Sequence, residues 1–227
     1  MKRAFSRARW RHLLTAAAIA AVPAVPAYAV SDPTGDFLGT YAGPQTGDLD
    51  ILDVSAVFDG SGYTLTAMLG GAPFATSNSL LAWGINRGGG TARFMTGSPP
   101  VGPTVLFDSL LVLFGDGTGR TVVFNPSSPP TITPIPGGLI SGNTITGYAP
   151  LALLPSTGFS PADYTFTLWT RRRINPAFDT DNTEIADFGP TITAQAVPEP
   201  ATWALLILGF GAVGGAMRSR RASLSIA

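Results

Sequence analysis

Leu52, Val54, Ala56 and Phe58 alternate with Asp53, Ser55 and Val57, and after Asp59-Gly60-Ser61-Gly62 the residues Tyr63, Leu65, Ala67 and Leu69 alternate with Thr64, Thr66 and Met68. A period of two puts one set of side chains on one face of a strand, whereas a helix would scatter them around its circumference. The Asp-Gly between the runs predicts a tight hairpin. The same pattern recurs along the chain. Leu80 to Ile85 and Thr104 to Phe114 are apolar runs expected as buried strands. Asp116-Gly117-Thr118-Gly119 leads into Thr121 to Phe124, and Gly142-Asn143 separates Leu139-Ile140 from Thr144-Ile145-Thr146. Tyr164 to Thr170 and Ile185 to Gln195 complete the set. Pro99, Pro100, Pro103 and the 126–136 stretch are expected as long loops or irregular edges. Ala149 to Leu154 makes at most one helical turn, and no internal repeat is present. Many short segments with regular turns predict an all-β domain, an antiparallel β-sandwich of jelly-roll or immunoglobulin-like type.

Charge is unevenly placed along the chain. Residues 30–197 hold six arginines (Arg87, Arg93, Arg120, Arg171, Arg172, Arg173) and no lysine, against twelve aspartates and Glu184. An acidic domain is a poor partner for phosphate backbones, so nucleic acid binding is not expected. The one histidine, His12, precedes this region, and the chain has no cysteine. A Ser-His-Asp triad, a cysteine nucleophile, a Ser-Lys dyad, a lysine Schiff base and a His or Cys zinc site are thereby excluded from residues 30–197. What survives is carboxylate chemistry: a glycosidase-like aspartate pair, or oxygen ligation of a hard cation. No disulfide can staple the domain, so its core must hold it.

Both ends of the chain read as addresses. Lys2, Arg3, Arg7, Arg9 and Arg11 precede an apolar Leu13-to-Val22 run, and Ala27-Tyr28-Ala29 is a small-x-small cleavage site. These predict a signal helix over residues 1–29, carried by the Sec translocon and removed by signal peptidase at Ala27 and Ala29. Trp10 separates Arg9 from Arg11, which argues against a twin-arginine signal. At the other end, Pro198-Glu199-Pro200 is followed by an uncharged run from Trp203 to Met217, then by Arg218, Arg220 and Arg221. At about 1.5 Å per residue the run is roughly 22 Å long, and Ala201, Thr202 and snorkelling arginines extend it toward a ~30 Å hydrocarbon core. A single C-terminal transmembrane helix is expected, with its basic end cytoplasmic and residues 30–196 outside.

This C-terminal segment resembles the PEP-CTERM sorting domain of Gram-negative bacteria, in the variant with Trp203-Ala204 after Pro198, Glu199 and Pro200. Gly209-Phe210-Gly211, Val213-Gly214 and Ala216-Met217-Arg218 fit the same pattern. The resemblance implies an exosortase partner, cleavage near Pro-Glu-Pro, and a setting of extracellular polysaccharide production. It divides the chain into a signal peptide (1–29), an exported sandwich (30–196), the sorting signal (197–221) and a short tail (222–227).

A second resemblance covers the opening of the exported domain. Asp32-Pro-Thr-Gly-Asp36, Tyr41 and Gly47-Asp-Leu-Asp-Ile51 resemble the start of DOMON-type domains and relatives of family 9 carbohydrate-binding modules. That implies a β-sandwich that binds sugars or haem, and haem is disfavoured without a histidine. Asp32, Asp36, Asp48 and Asp50 form an acidic cluster that calcium would suit, as an all-oxygen, irregular site. The alternative is that they are turn formers and solvated loop charges. Asp179-Thr-Asp-Asn-Thr-Glu184 has alternating acids but lacks the glycine of an EF-hand. Trp83 and Trp169 offer faces for sugar rings, or core filling, and Arg171 with its two neighbours offers a grip for an anionic polysaccharide. The expectation is a non-enzymatic binding or matrix protein of the exopolysaccharide setting. A carbohydrate-active enzyme with paired aspartates and a calcium-dependent adhesive protein are the alternatives.

Overall fold

The computed structural model describes residues 29–173, 181–196, 206–211 and 213. Thirteen strands follow one another: β1 (Val30–Ser31), β2 (Ile51–Phe58), β3 (Gly62–Leu69), β4 (Ser79–Asn86), β5 (Ser109–Phe114), β6 (Thr118–Asn125), β7 (Ser128–Pro136), β8 (Leu139–Ser141), β9 (Thr144–Pro150), β10 (Thr165–Arg172), β11 (Ile185–Phe188), β12 (Ile192–Thr193) and β13 (Gln195–Ala196). They build two sheets. The smaller runs β1-β2-β3-β9-β8, with β13 parallel to β2. The larger runs β11-β10-β4-β5-β6-β7, with β12 on β10. All pairs apart from β13 with β2 are antiparallel.

The hairpins form where Asp-Gly predicts them. Gly60 and Gly117 take the positive φ that the tight turns require, +88° and +81°. Asp59 accepts hydrogen bonds from the Ser61 and Gly62 amides, and Asp116 from the Thr118 amide. The alternating residues of β3, β4 and β10 then meet between the sheets. Leu65, Ala67 and Leu69 face Leu81, Trp83 and Ile85, with Tyr63 in ring contact with Tyr164 and Phe166. Trp83 belongs to this inner core and is fully buried.

In β2 the alternation is shifted by one residue at its start. The pairing with β3 slips between Ile51 and Asp53, so Ile51, not Leu52, joins Val54 and Ala56 in the core. A bulge of this kind re-aims side chains and releases a backbone group from the ladder.

The outer face of the larger sheet carries a second apolar layer. The Leu80-to-Ile85 run is buried on both sides because the chain between β4 and β5 folds back over that face. Phe94, Val101, Val105 and Phe107 from this excursion pack on Leu80, Ala82, Val112 and Trp169. Residues 104–108, expected as the start of a long strand, belong to the excursion, and β5 begins at Ser109. The buried pair Arg87 and Asp108 closes its base, Nε to Oδ1 at 2.8 Å. Asn182 ties its far end by donating to the carbonyls of Phe94 (2.8 Å) and Pro99 (2.7 Å).

The 126–136 stretch also differs from expectation, since most of it is the edge strand β7. Pro130, Pro134 and Pro136 share one parity, and Pro129, of the other, lies where the register with β6 breaks. An edge strand tolerates proline when its parity turns the backbone nitrogen to the open side. The proline run thus finishes the sheet and leaves few free donors for further pairing.

Residues 206–211, within the expected membrane span, are helical. Among the described residues no helix is long and apolar enough to cross a membrane. The signal segment up to Tyr28, Pro198, Glu199, Pro200, Trp203, Ala204 and the terminal arginines lie outside the described residues, whereas Ala29 stands exposed next to β1.

Candidate functional site

Two constellations of charged side chains stand apart from the packing. The first is a seam of carboxylates where β1 and β2 of one sheet meet β11 of the other. Oxygens of Asp32, Asp36 and Asp187 all lie within 4.8 Å of one another. The β2 bulge frees the Ile51 amide, which donates to Asp187 Oδ2 across the sandwich at 2.9 Å. Asp32 Oδ2 is buried without a hydrogen-bond partner among the described residues. Burial, reinforced by the charges of Asp36 and Asp50, pushes the Asp32 carboxyl up to about 7. Burial also pushes Asp187 up to about 7; the Ile51 hydrogen bond opposes this, and the Asp32 and Asp36 charges add to it. Three acids held this close, two of them desolvated, suit a proton or an oxygen-loving cation.

Only part of the expected acidic cluster is in this seam. Asp32 and Asp36 are brought together. Asp50 lies close enough to act on Asp32 through its charge, but it is buried and accepts from the Gly35 amide at 2.8 Å. Asp48 closes a different loop, accepting from the Thr76 amide (2.7 Å) and hydroxyl (2.8 Å). Asp187 completes the group from 151 residues beyond Asp36 in the chain. Of the second acidic stretch, Asp179 lies outside the described residues. Asp181 accepts from the Thr183 amide at 2.9 Å, and Glu184 is buried against Arg171 at 2.7 Å.

The second constellation is a groove of about 390 Å³ on the outer face of the larger sheet, beneath the excursion. Its lining includes Phe94, Phe107, Phe124 and Trp169, together with Arg93, Arg120, Arg171 and Arg173. Gly84 lets Trp169 lie on the sheet, since a Cβ there would come within 2.7 Å of its ring. The Arg93 guanidinium sits 3.9 Å from the centre of the Phe124 ring, and its Nε donates to the Phe107 carbonyl at 3.2 Å. The Arg120 guanidinium lies 5.2 Å from the Phe114 ring centre, and its Nε is buried without a hydrogen-bond partner among the described residues. Such stacking holds a guanidinium plane in place while its edge stays available to an anion. Of the expected ligand residues, Trp169 and Arg171 are in this groove and Trp83 is not. Arg93 and Arg120 complete it. Their signal in the sequence is their rarity, six arginines and no lysine across an acidic domain.

The fold is an antiparallel sandwich with an acidic seam between its sheets and a cationic groove on the outer face of the larger one. Residues 196–221 match the PEP-CTERM protein-sorting motif, so the chain carries the mark of an exported protein sorted by an exosortase. No curated protein and no solved structure matches the chain.

Proposed function

We propose that the exported sandwich is a non-catalytic binding or matrix protein that works in exopolysaccharide at the cell surface. The observation that supports this most directly is the groove, which gathers four of the domain's six arginines over an aromatic floor and has no Asp or Glu among its described lining residues. A glycosidase needs its carboxyl pair facing the sugar. The carboxylates that cluster here are at the seam and do not line the groove, which favours binding over the paired-aspartate enzyme. A glycan array probed with the purified full-length chain tests this reading, and an array without a retained polysaccharide would sink it.

A second reading rests on the seam itself. Asp32, Asp36 and Asp187 hold calcium there, and the ion fastens the two sheets, as a calcium-dependent adhesive protein requires. The buried oxygen of Asp32, which has no hydrogen-bond partner among the described residues, supports this reading. Calorimetric titration with calcium alone, and with magnesium alone, measures it directly.

Delivery follows from the two ends. In this reading the Sec translocon exports the precursor, and the apolar tail holds it in the inner membrane with the sandwich in the periplasm. Signal peptidase cleaves after Ala29, so the mature chain starts at Val30, the first residue of β1, which pairs with Val54. N-terminal sequencing of the exported protein checks this, and a start upstream of Ala27 contradicts it. Substituting Glu199→Ala together with Pro200→Ala is expected to leave the protein membrane-bound and uncleaved, because the exosortase loses its motif while the apolar run is untouched. Normal release of the doubly substituted protein in cell fractions would refute exosortase cleavage at this motif.

A further inference from the structure

The exported domain is acidic, yet its positive charge is not spread to balance the acids. Arg87 is spent on Asp108 in the core, and four of the remaining five arginines line one groove. Arg171 is paired with Glu184. Arg93 and Arg120 are different: each is stacked on phenylalanine, and neither has a carboxylate at ion-pair distance among the described residues. Desolvation lowers the Arg93 pKa from its ordinary value, partly offset by the Asp108 charge, so its cation lacks full compensation where it sits. The open wall beside these two arginines is apolar, formed by Pro130 and Ile132 of β7, both exposed. The volume is within the range of small-ligand sites, roughly 300–1,000 Å³.

We propose that this groove binds successive uronate units of an acidic polysaccharide: Arg93, over Phe124, takes the carboxylate of the unit whose carbon face lies on the β7 wall, and Arg120, over Phe114 toward the other end of the groove, takes the carboxylate of a further unit. A planar carboxylate matches the edge of a guanidinium better than it matches any other cationic side chain. A neutral sugar would leave both arginines without an anion. The ring contributes what an inorganic anion lacks, an apolar face against Pro130 and Ile132. The proposal rests on the reading that the domain binds polysaccharide, and it names the chemistry of the sugar.

The test is isothermal titration of the full-length chain, in detergent, with four probes: oligogalacturonate, its methyl ester, dextran and dextran sulfate. Oligogalacturonate is expected to bind, and methyl esterification, which removes the charge but keeps the ring, to weaken it about tenfold or more. Arg93→Gln and Arg120→Gln are each expected to weaken binding by about the same factor, with an unchanged melting temperature, while Arg172→Gln, outside the groove, leaves it unchanged. The esterification arm needs no variant, so a misfolded substitution does not protect the proposal. Equal binding of ester and acid, or of dextran, overturns the uronate assignment but leaves polysaccharide binding standing. Dextran sulfate binding as tightly as oligogalacturonate overturns it in favour of a general anion site. Absence of binding to all four probes overturns both readings.

Discussion

Asp108→Ala is expected to cost the exported domain about 3–5 kcal/mol, the range for breaking a buried ion pair from one side. Asp108 is the hub at the base of the excursion. Its Oδ1 accepts from Arg87 Nε (2.8 Å) and the Arg87 amide (3.2 Å), and its Oδ2 from the Thr157 hydroxyl (2.6 Å) and the Gly89 amide (3.1 Å). Burial alone would push this carboxyl up, but hydrogen bonds from Thr157 and Arg87 and the Arg87 charge outweigh it and hold the group below its ordinary value. Its stabilising contribution is therefore present above the ordinary carboxylate range and is lost as pH falls through the depressed value. Alanine removes these bonds, and the long one from the Ser109 hydroxyl (3.5 Å), and strands the Arg87 guanidinium, 1% exposed, with only the carbonyls of Pro155 and residue 108. For a domain of this size the loss corresponds to a melting temperature lower by roughly 6–20 °C. Arg87→Met combined with Asp108→Ala is expected to lose less than the sum of the two single changes, because the stranded charge is gone. A shift under about 2 °C for Asp108→Ala would show that the excursion is held by its phenylalanines and not by this pair.

The parts of the molecule that local chemistry dictates were legible in the sequence. Asp59-Gly60, Asp116-Gly117 and Gly142-Asn143 announce hairpins because the turn's backbone demands those residues. Alternation in β3 and β10 assigns their faces correctly. Alternation cannot say what lies beyond the outer face. Leu80 to Ile85 read as buried, but nothing local says by what, and Trp169 and Arg171 lie on the outer side of β10 that the excursion covers. That covering is a long-range event, fixed by Arg87, Asp108 and Asn182, none of which has a local signature. The seam was half legible. Asp32 and Asp36 cluster in sequence, whereas Asp187 is a lone acid inside Ile185-Ala-Asp-Phe188 and joins them only through the sandwich. Its one local mark is a charge on an otherwise apolar strand. The β2 bulge that aims the Ile51 amide at it breaks the period of two, which is why Leu52 read as core.

Calcium is expected to raise the melting temperature of the full-length chain by about 5–10 °C at pH 8 and to leave it unchanged at pH 4. The pH dependence follows from the seam. Asp32 and Asp187 have folded-state values raised to about 7, above the ordinary aspartate value. A raised acid contributes stability that is fully present below its unfolded value, near 4, and is lost as pH rises through its folded value. Without a cation, stability should therefore fall between about pH 4 and pH 7. No histidine lies in residues 30–196 to obscure that window. A divalent ion replaces the protons, so its effect appears only where the carboxyls would otherwise repel one another as anions. At about 100 times the dissociation constant the gain is roughly 2.7 kcal/mol, which gives the expected shift. Magnesium, which demands near-octahedral geometry and gives up water reluctantly, is expected to do less. Asp187→Asn keeps an oxygen for the Ile51 amide but removes a charge. It should melt higher than the parent at pH 8 without calcium, lose Asp187's share of the fall between pH 4 and pH 7 while Asp32 keeps its own, and no longer respond to the metal. If the parent chain melts at the same temperature with calcium and with a chelator at pH 8, the seam is a protonated clasp and not a metal site. If the fall with pH is also missing, the three carboxylates are not coupled and the seam has no role in stability.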